Sequence, residues 1–244
     1  MAVAVAASAG IVISASVRED DGIGVPPPTD MAVWSTVSPT IGTVESLPSN
    51  RLLASVLQVR GLDCRTAQVG TGFVVADGLI ATVAHVVAGI TAPTVEVAGE
   101  EVTVQVVGFD PVSDLALLRP LRTLDLPPAL DLGTAMAGTL GTVLVHEGAD
   151  GPVALPSVVR RLIRATGNDI YGRSADGRDA LEITATIRTG HSGAPVVDGS
   201  GAVIGVLFSR LRGGGSVAYA VQAEELSRLL EETANKASPT GPCL

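Results

Sequence analysis

Aromatic residues make up only 2% of this 244-residue chain, although 46% of its residues are hydrophobic. The core must therefore be built from Val, Ala, Leu and Ile, and the β-branched residues in this set favour strands. Basic residues are also few, and the net charge is -9. Because phosphate binding needs a basic face, this balance disfavours a nucleic-acid partner. Three nearby arginines, Arg160, Arg161 and Arg164, are expected to form a solvated face.

Cysteine is scarce as well. The chain has two cysteines, Cys64 and Cys243, and they are too far apart to form a zinc motif of close pairs. The sequence indicates no metal or organic cofactor. A disulfide between them and two unrelated buried thiols are equally open alternatives, and an exported location would favour the disulfide. In the chain-entropy model a bridge over so long a loop contributes about 4 to 5 kcal/mol.

Charge is absent from the first 17 residues, which are followed at once by the charged residues Arg18, Glu19, Asp20 and Asp21. Residues 1–17 are expected to be the end of a membrane helix or an atypical export signal, with a flexible or buried apolar tail as the alternative. Residues 18–50 include three consecutive prolines and show no sustained period of 2 or 3.6. They are predicted to form a linker.

From about residue 51 the chain is rich in short strand patterns. "VTVQVV" (102–107) alternates apolar and polar residues over most of its length, and "LEITATI" (181–187) places four apolar residues on one face. Many short strands separated by turns indicate an all-β sandwich or barrel. One helix is predicted at 222–236. Further strands are predicted at 54–60, 70–76, 79–82, 94–97, 115–118, 140–146, 202–208 and 215–221.

The stretch "RTGHSGAPVVDGSGAVIG" (188–205) places Ser192 between small residues just before a strand. A simple turn is one interpretation, since Gly, Ser and Asp are common in turns. The other is that Ser192 is a nucleophile, which requires a base and an orienting carboxylate elsewhere in the chain.

The chain has three histidines from which to take that base. His191 is badly placed to reach the hydroxyl beside it, and His146 follows an apolar strand, where a structural role is common. His85 lies where a strand runs into a short helical turn, a position that holds a side chain firmly. Asp114 leads directly into the apolar run 115–118 and must find a donor there, which an imidazole N–H would provide. Asp110, beside a proline, is expected to be a turn residue.

The order His85, Asp114, Ser192 is that of chymotrypsin. An α/β-hydrolase needs a histidine after its nucleophile, and none follows Ser192. The G-x-S-x-G motif of that fold also fails, because position 194 is alanine.

Three motifs resemble those of a trypsin-like serine protease of the chymotrypsin fold, over about residues 51–235. They are "TGFVVADGLIATVAHVV", "DPVSDLALL" and "TGHSGAPVVDGSGAVIGV". More narrowly, "RLIRATGNDIYG", the charge-free start and the distant cysteine pair resemble the membrane-anchored periplasmic serine proteases of mycobacteria and related actinobacteria that are linked to acid resistance.

The resemblance implies two six-stranded antiparallel β-barrels, at about 51–125 and 133–221, with the helix 222–236 closing a protease domain of residues 51–244. It implies a serine endopeptidase that cleaves envelope or periplasmic proteins and has a membrane anchor near its N-terminus. Catalysis would use His85 as general base, Asp114 to orient it and Ser192 as nucleophile. The backbone N–H groups of Gly190 and Ser192 would form the oxyanion hole.

Several positions depart from the trypsin pattern. His191 replaces the aspartate that pairs with a new N-terminus in many relatives, and no Ile-Val-Gly-Gly start is present. Val86 stands where a cysteine usually follows the catalytic histidine, and Ala194 replaces a second glycine. Activation by that salt bridge and the usual local disulfide are therefore not expected.

The resemblance also names candidate substrate-binding residues. Thr186 stands where trypsin has an acidic residue, so trypsin specificity is not encoded in the usual way. Phe208, Ser209 and Arg210 are expected to line the strand that pairs with an extended substrate. Arg210 would favour an acidic group if it faced the substrate, and a plain exposed arginine is the alternative.

An acid-resistance role conflicts with the triad, because His85 beside Asp114 should lose its neutral form below about pH 6. Two other functions remain open. The first is a catalytically silent barrel that binds envelope proteins. The second is a protease-chaperone of the HtrA type, which usually has a peptide-binding domain after the protease; we expect none in this chain.

Overall fold

The computed structural model describes residues 50–210, 216–233 and 236–244, and the side chain of Arg210 is outside this description. The predicted apolar segment 1–17 and nearly all of the predicted linker 18–50 lie outside the described residues. In the part of the chain that is described, no helix is long and apolar enough to cross a membrane.

The described residues form twelve strands in two closed antiparallel barrels, which confirms the predicted fold class. The first barrel has the strand order β1-β2-β3-β6-β5-β4 and the second has the order β10-β11-β12-β9-β8-β7. The strands of the first barrel are β1 (Val56–Leu62), β2 (Ala67–Ala76), β3 (Leu79–Thr82), β4 (Thr94–Val97), β5 (Glu100–Asp110) and β6 (Leu115–Pro120). Those of the second are β7 (Leu140–His146), β8 (Pro152–Asn168), β9 (Ser174–Thr184), β10 (Pro195–Asp198), β11 (Val203–Arg210) and β12 (Val217–Gln222).

In the part of the chain that the structure describes, three α-helices accompany the barrels: α1 (Asn50–Ala54), the single turn α2 (Ala84–Val87) and α3 (Ala223–Glu232). Helix α3 lies within the predicted range 222–236. It buries Leu226 and Leu229 and packs against β5 and β6 of one barrel and β11 and β12 of the other. An amphipathic helix with one apolar stripe therefore helps to join the two barrels.

The barrel interiors are filled by aliphatic side chains, as the composition requires. Alternation along β5 buries Val102, Val104 and Val106, and the exposed residues between and before them are Glu101, Thr103 and Gln105. The second barrel buries a similar set on its inner face: Val143, Val145, Leu181, Ile183, Ile204 and Leu207.

Two details differ from the sequence expectation. Strand β9 ends at Thr184 rather than Ile187, because its partner β12 begins at Val217, opposite Thr184. The 17-residue strand β8 is not predicted by alternation, since its second half is mostly exposed and rich in arginine. Those arginines are not simply solvated: Arg160 and Arg161 both pair with the buried Glu182.

Candidate active site

A histidine of the first barrel and an aspartate beside it form a close pair. His85 lies in α2, directly after β3, and Asp114 occupies the turn that joins β5 to β6. The Nδ1 atom of His85 is 2.8 Å from Oδ2 of Asp114, and the backbone N–H of His85 donates to Oδ1 at 2.9 Å. Because the carboxylate accepts, Nδ1 carries the proton and Nε2 is left as the basic nitrogen.

Asp114 is held in place by its turn. Its side chain is 2% exposed, and its backbone has a φ of 59°, a left-handed conformation that aspartate tolerates better than most residues. Asp110 shapes the same turn by accepting the N–H groups of Val112 and Ser113. The Ser113 hydroxyl then donates to Glu225 of α3.

The pKa of His85 lies above the usual histidine value. Burial of the ring lowers this pKa, but the negative charge of Asp114 and its hydrogen bond raise it by more. The positive charge of Arg178 acts in the lowering direction.

Ser192 follows a tight turn of the second barrel. The N–H of His191 donates to the Arg188 carbonyl at 3.3 Å, and Gly190, the third residue of that turn, has a φ of 93°. Because the φ of Thr189 is not positive, the positive φ of Gly190 indicates a type II turn, whereas a type I turn would rotate the central peptide to face the other way. Among the described residues, no acceptor binds the N–H of Gly190 or of Ser192.

Helix α2 and the segment of residues 188–192, which we call the Ser192 turn, both lie against Gly70 of β2. A Cβ atom on Gly70 would lie 2.7 Å from Val86 and 3.0 Å from the carbonyl oxygen of Ser192. Val86, which follows His85, and the carbonyl of Ser192 are therefore both close to the backbone of Gly70. The Ser192 hydroxyl makes no hydrogen bond to His85 or to any other described residue, and such bonds are often long before substrate binds.

Comparison with known proteins shows the family to which the chain belongs. Residues 70–206, more than half of the chain, match the family described as "Trypsin-like peptidase domain". The chain belongs to the trypsin-like serine protease family.

Several relatives are similar over most of this trypsin-like chain. The serine protease Rv3671c of Mycobacterium tuberculosis is 31% identical over 229 residues, which cover 91% of this chain and 58% of that protein. A probable periplasmic serine endoprotease, DegP-like, of Brucella suis is 32% identical over 69% of this chain and 33% of its own length. The chain thus spans less than two thirds of the curated relatives it matches.

Solved structures show the same fold. The active form of the Rv3671c protease matches with a TM-score of 0.76 and 31% identity, over 91% of this chain and 99% of that one. The inactive form matches with a TM-score of 0.65 and 32% identity, over 76% of this chain and 91% of that one.

Within this trypsin-like fold, Thr71 of β2 ties the Ser192 turn to the first barrel. Its backbone N–H donates to the Ser192 carbonyl at 2.8 Å, and its hydroxyl donates to the Gly190 carbonyl at 2.9 Å. The same hydroxyl accepts the N–H of His146 at 3.2 Å. Thr71 is fully buried, so these bonds are shielded from water.

The other two histidines have structural contacts. The His191 ring is 4% exposed; its Nδ1 accepts the N–H of Arg188, and its Nε2 lies 3.3 Å from Glu147. Burial lowers the pKa of His191 despite the nearby Glu147 charge. Burial also lowers the pKa of His146, whose Nδ1 has no hydrogen-bond partner in the described part of the chain.

The candidate substrate-binding residues occupy two places. Thr186 is exposed just beyond β9. Phe208 and Ser209 lie on β11, which ends at Arg210, but the Phe208 side chain is buried and faces Arg178 rather than solvent. Pairing with β10 ends at Val206, whereas pairing with β12 continues to Arg210 and includes a bulge at Phe208.

A disulfide joins Cys64 to Cys243, which resolves the two alternatives that the sequence left open. Cys243 packs against Gly89, just after α2, and Tyr171 of the second barrel donates to the carbonyl of Thr240. The C-terminal tail therefore contacts both barrels. The described residues contain no cluster of His, Cys, Asp or Glu that fits a metal ion.

Sequence reasoning missed two residues beside the site. Thr71 is the first residue of the motif "TGFVVADGLIATVAHVV", but the motif indicates no contact for it, and only the approach of the two barrels brings it to the Ser192 turn. Arg178 offers a weak signal, because it shares one face of β9 with Ala180 and other buried residues, where a charged side chain is unusual.

Proposed function

We propose that this chain is a serine endopeptidase that cleaves protein or peptide substrates through an acyl-enzyme. Ser192 is the nucleophile, His85 the general base and acid, and Asp114 the residue that orients His85. The main support is the Asp114–His85 pair, which fixes the tautomer that a serine nucleophile needs and adjoins the turn that carries Ser192.

In the proposed reaction, the Oγ atom of Ser192 attacks the substrate carbonyl carbon while Nε2 of His85 takes the hydroxyl proton. Asp114 stabilises the resulting imidazolium. His85 then gives its proton to the amide nitrogen, the C–N bond breaks and the amine leaves. Water, deprotonated by His85, attacks the acyl-enzyme in the same way and releases the acid and the free Ser192.

The oxyanion hole is assigned to the N–H groups of Gly190 and Ser192. Neither N–H group has an acceptor among the described residues. The type II turn fixes the orientation of the Thr189–Gly190 peptide and therefore the direction of the Gly190 N–H. A donor of this kind contributes about 3 to 4 kcal/mol to the transition state where it has been measured.

Substrate is proposed to add as an extended strand along β11, past the point where β10 ends. Ser209 and Arg210 would contact the substrate there, Phe208 would form the underlying surface, and Thr186 would lie near the first specificity pocket. This arrangement differs from that of trypsin, which places an acid in that pocket.

We assign the protease domain to residues 51–244 and place it outside the cytoplasm, in agreement with the disulfide and with the periplasmic DegP-like relatives. A membrane anchor in or before residues 1–17, envelope or periplasmic substrates and a role in acid or oxidative stress belong to the same proposal. They rest on the resemblance to the membrane-anchored actinobacterial proteases.

A fluorophosphonate probe tests the chemistry directly. Intact-mass analysis of the protein at pH 7.5 should show one added phosphonyl group, and Ser192→Ala should show none. Ser200→Ala is a matched control because Ser200 lies in an exposed turn, and it should label like the parent. A folded parent that is not labelled would contradict the proposal and favour a silent barrel that binds envelope proteins.

A further inference from the structure

An arginine lies against the candidate triad without belonging to it. Arg178 extends from β9, and its side chain is 4% exposed. Its Nη1 is 3.8 Å from Oδ2 of Asp114, the same oxygen that is 2.8 Å from Nδ1 of His85. A permanent cation and a group that becomes a cation during catalysis therefore share one carboxylate oxygen.

The buried position of Arg178 is not explained by a gain in the stability of the fold. The buried Nε and Nη1 atoms of Arg178 have no hydrogen-bond partner among the described residues, and the guanidinium stacks over the Phe208 ring at 4.7 Å. Arginine stays protonated in proteins, so it cannot relieve the cost of burial by becoming neutral. A buried polar group without a hydrogen-bond partner calls for an explanation, and a role at a functional site is one such explanation.

We propose that Arg178 weakens the electrostatic stabilisation of the protonated His85 ring by Asp114, so that His85 keeps its active, neutral form in more acidic solution. This inference rests on the proposed function of the triad. Arg178 acts through Asp114 and touches no reacting atom, so it is a tuning residue and not a catalytic one.

The charges around His85 agree with this role. Asp114, from the β5–β6 turn, favours the protonated ring, and Arg178 opposes it. Tyr171, from the loop between β8 and β9, interacts with Asp114, but burial raises its pKa and keeps it neutral in acid. On the α3 side, Glu225 accepts bonds from Ser113 and from the N–H of Asp179 and pairs with Arg228, so its charge is balanced there.

The competition between Arg178 and the protonated His85 for Asp114 should also slightly lower the reaction rate at neutral pH. Asp114 stabilises the imidazolium that forms in the transition state, and a second cation on its oxygen reduces that stabilisation. Removing Arg178 should therefore leave the rate at high pH unchanged or slightly raised while it lowers the rate in acid. A residue needed only for packing would lower the rate at every pH.

The first test measures the charge on His85 without requiring catalysis. In Ser192→Ala protein with 13C-labelled histidine, the three ring signals are followed by NMR against pH, and His85→Gln assigns one of them. We expect the His85 midpoint to be higher in the neutral variants Arg178→Met and Arg178→Gln than in the parent. Arg178→Lys keeps the charge and should remain near the parent value.

Equal midpoints in the parent and in whichever neutral variant folds would overturn the inference. A lysine variant that behaves like the neutral ones would also overturn it, because charge would then not be the cause.

The second test uses the rate of fluorophosphonate labelling. The ratio of the rate at pH 5.5 to the rate at pH 8 should fall about three- to tenfold in Arg178→Met and Arg178→Gln, and it should be kept in Arg178→Lys. A uniform loss at both pH values would overturn the inference. If the parent is not labelled at any pH, the proposed function fails, and the NMR comparison still decides the role of Arg178.

Discussion

Asp114 holds His85 at two points: one carboxylate oxygen lies 2.8 Å from the ring Nδ1, and the other accepts the backbone N–H at 2.9 Å. Two contacts from one carboxylate fix both the ring and the helical turn that carries it. The base is thus oriented before any substrate arrives, which is the arrangement that rapid proton transfer requires.

The pH dependence of labelling follows from this pair. His85 can accept a proton from Ser192 only when its ring is neutral, so activity is present above its pKa and lost as the pH falls through it. Because the pKa of His85 is raised above 6.5, the decline should begin at a higher pH than for an ordinary histidine. Fluorophosphonate labelling rates between pH 4.5 and 9 would measure it, and a rate that stays constant down to pH 5 would contradict the prediction.

Thr71 should support the Ser192 turn. Thr71→Val keeps the shape of the side chain but removes the hydroxyl that donates to the Gly190 carbonyl and accepts the His146 N–H. We expect labelling to slow about tenfold and the free energy of unfolding to fall by about 1 to 3 kcal/mol, because two partly buried backbone groups lose a partner.

Thr71→Ser retains the hydroxyl and is the matched control, measured by the same labelling rate and by urea unfolding. An unchanged labelling rate in the valine variant would mean that other contacts hold the turn.

Gly193 should tolerate no side chain. Its φ is 90°, and a Cβ atom there would lie 2.0 Å from the carbonyl oxygen of Thr71. We expect Gly193→Ala to reduce labelling at least about 100-fold, since the backbone beside Ser192 must move. Gly199→Ala has open space around its Cβ and should label normally. Normal labelling of Gly193→Ala would show that the two barrels can separate locally at little cost.

The disulfide should stabilise the domain by tying the C-terminal tail to the first barrel near α2. Reduction, or Cys64→Ser with Cys243→Ser, should lower the free energy of unfolding by about 2 to 4 kcal/mol. Thermal unfolding with and without reductant measures this, and the double variant is the control that reductant should not affect. A melting temperature unchanged by reduction of the parent would contradict the prediction.

Much of this protein could be predicted from local sequence. Alternation locates β4 and β5, because one buried and one solvated face impose a period of two on the residues. The motifs around His85, Asp114 and Ser192 also carry their own signals, since the turn and strand that surround each one are built from neighbouring residues.

Contacts between distant segments could not be predicted in this way. The sequence by itself determined an aliphatic all-β chain with three candidate catalytic residues in the chymotrypsin order. Only the tertiary structure decided that Cys64 meets Cys243, that Thr71 holds the Ser192 turn and that Arg178 lies beside Asp114. These contacts depend on how two closed barrels pack together, and no local pattern of polar and apolar residues encodes that approach.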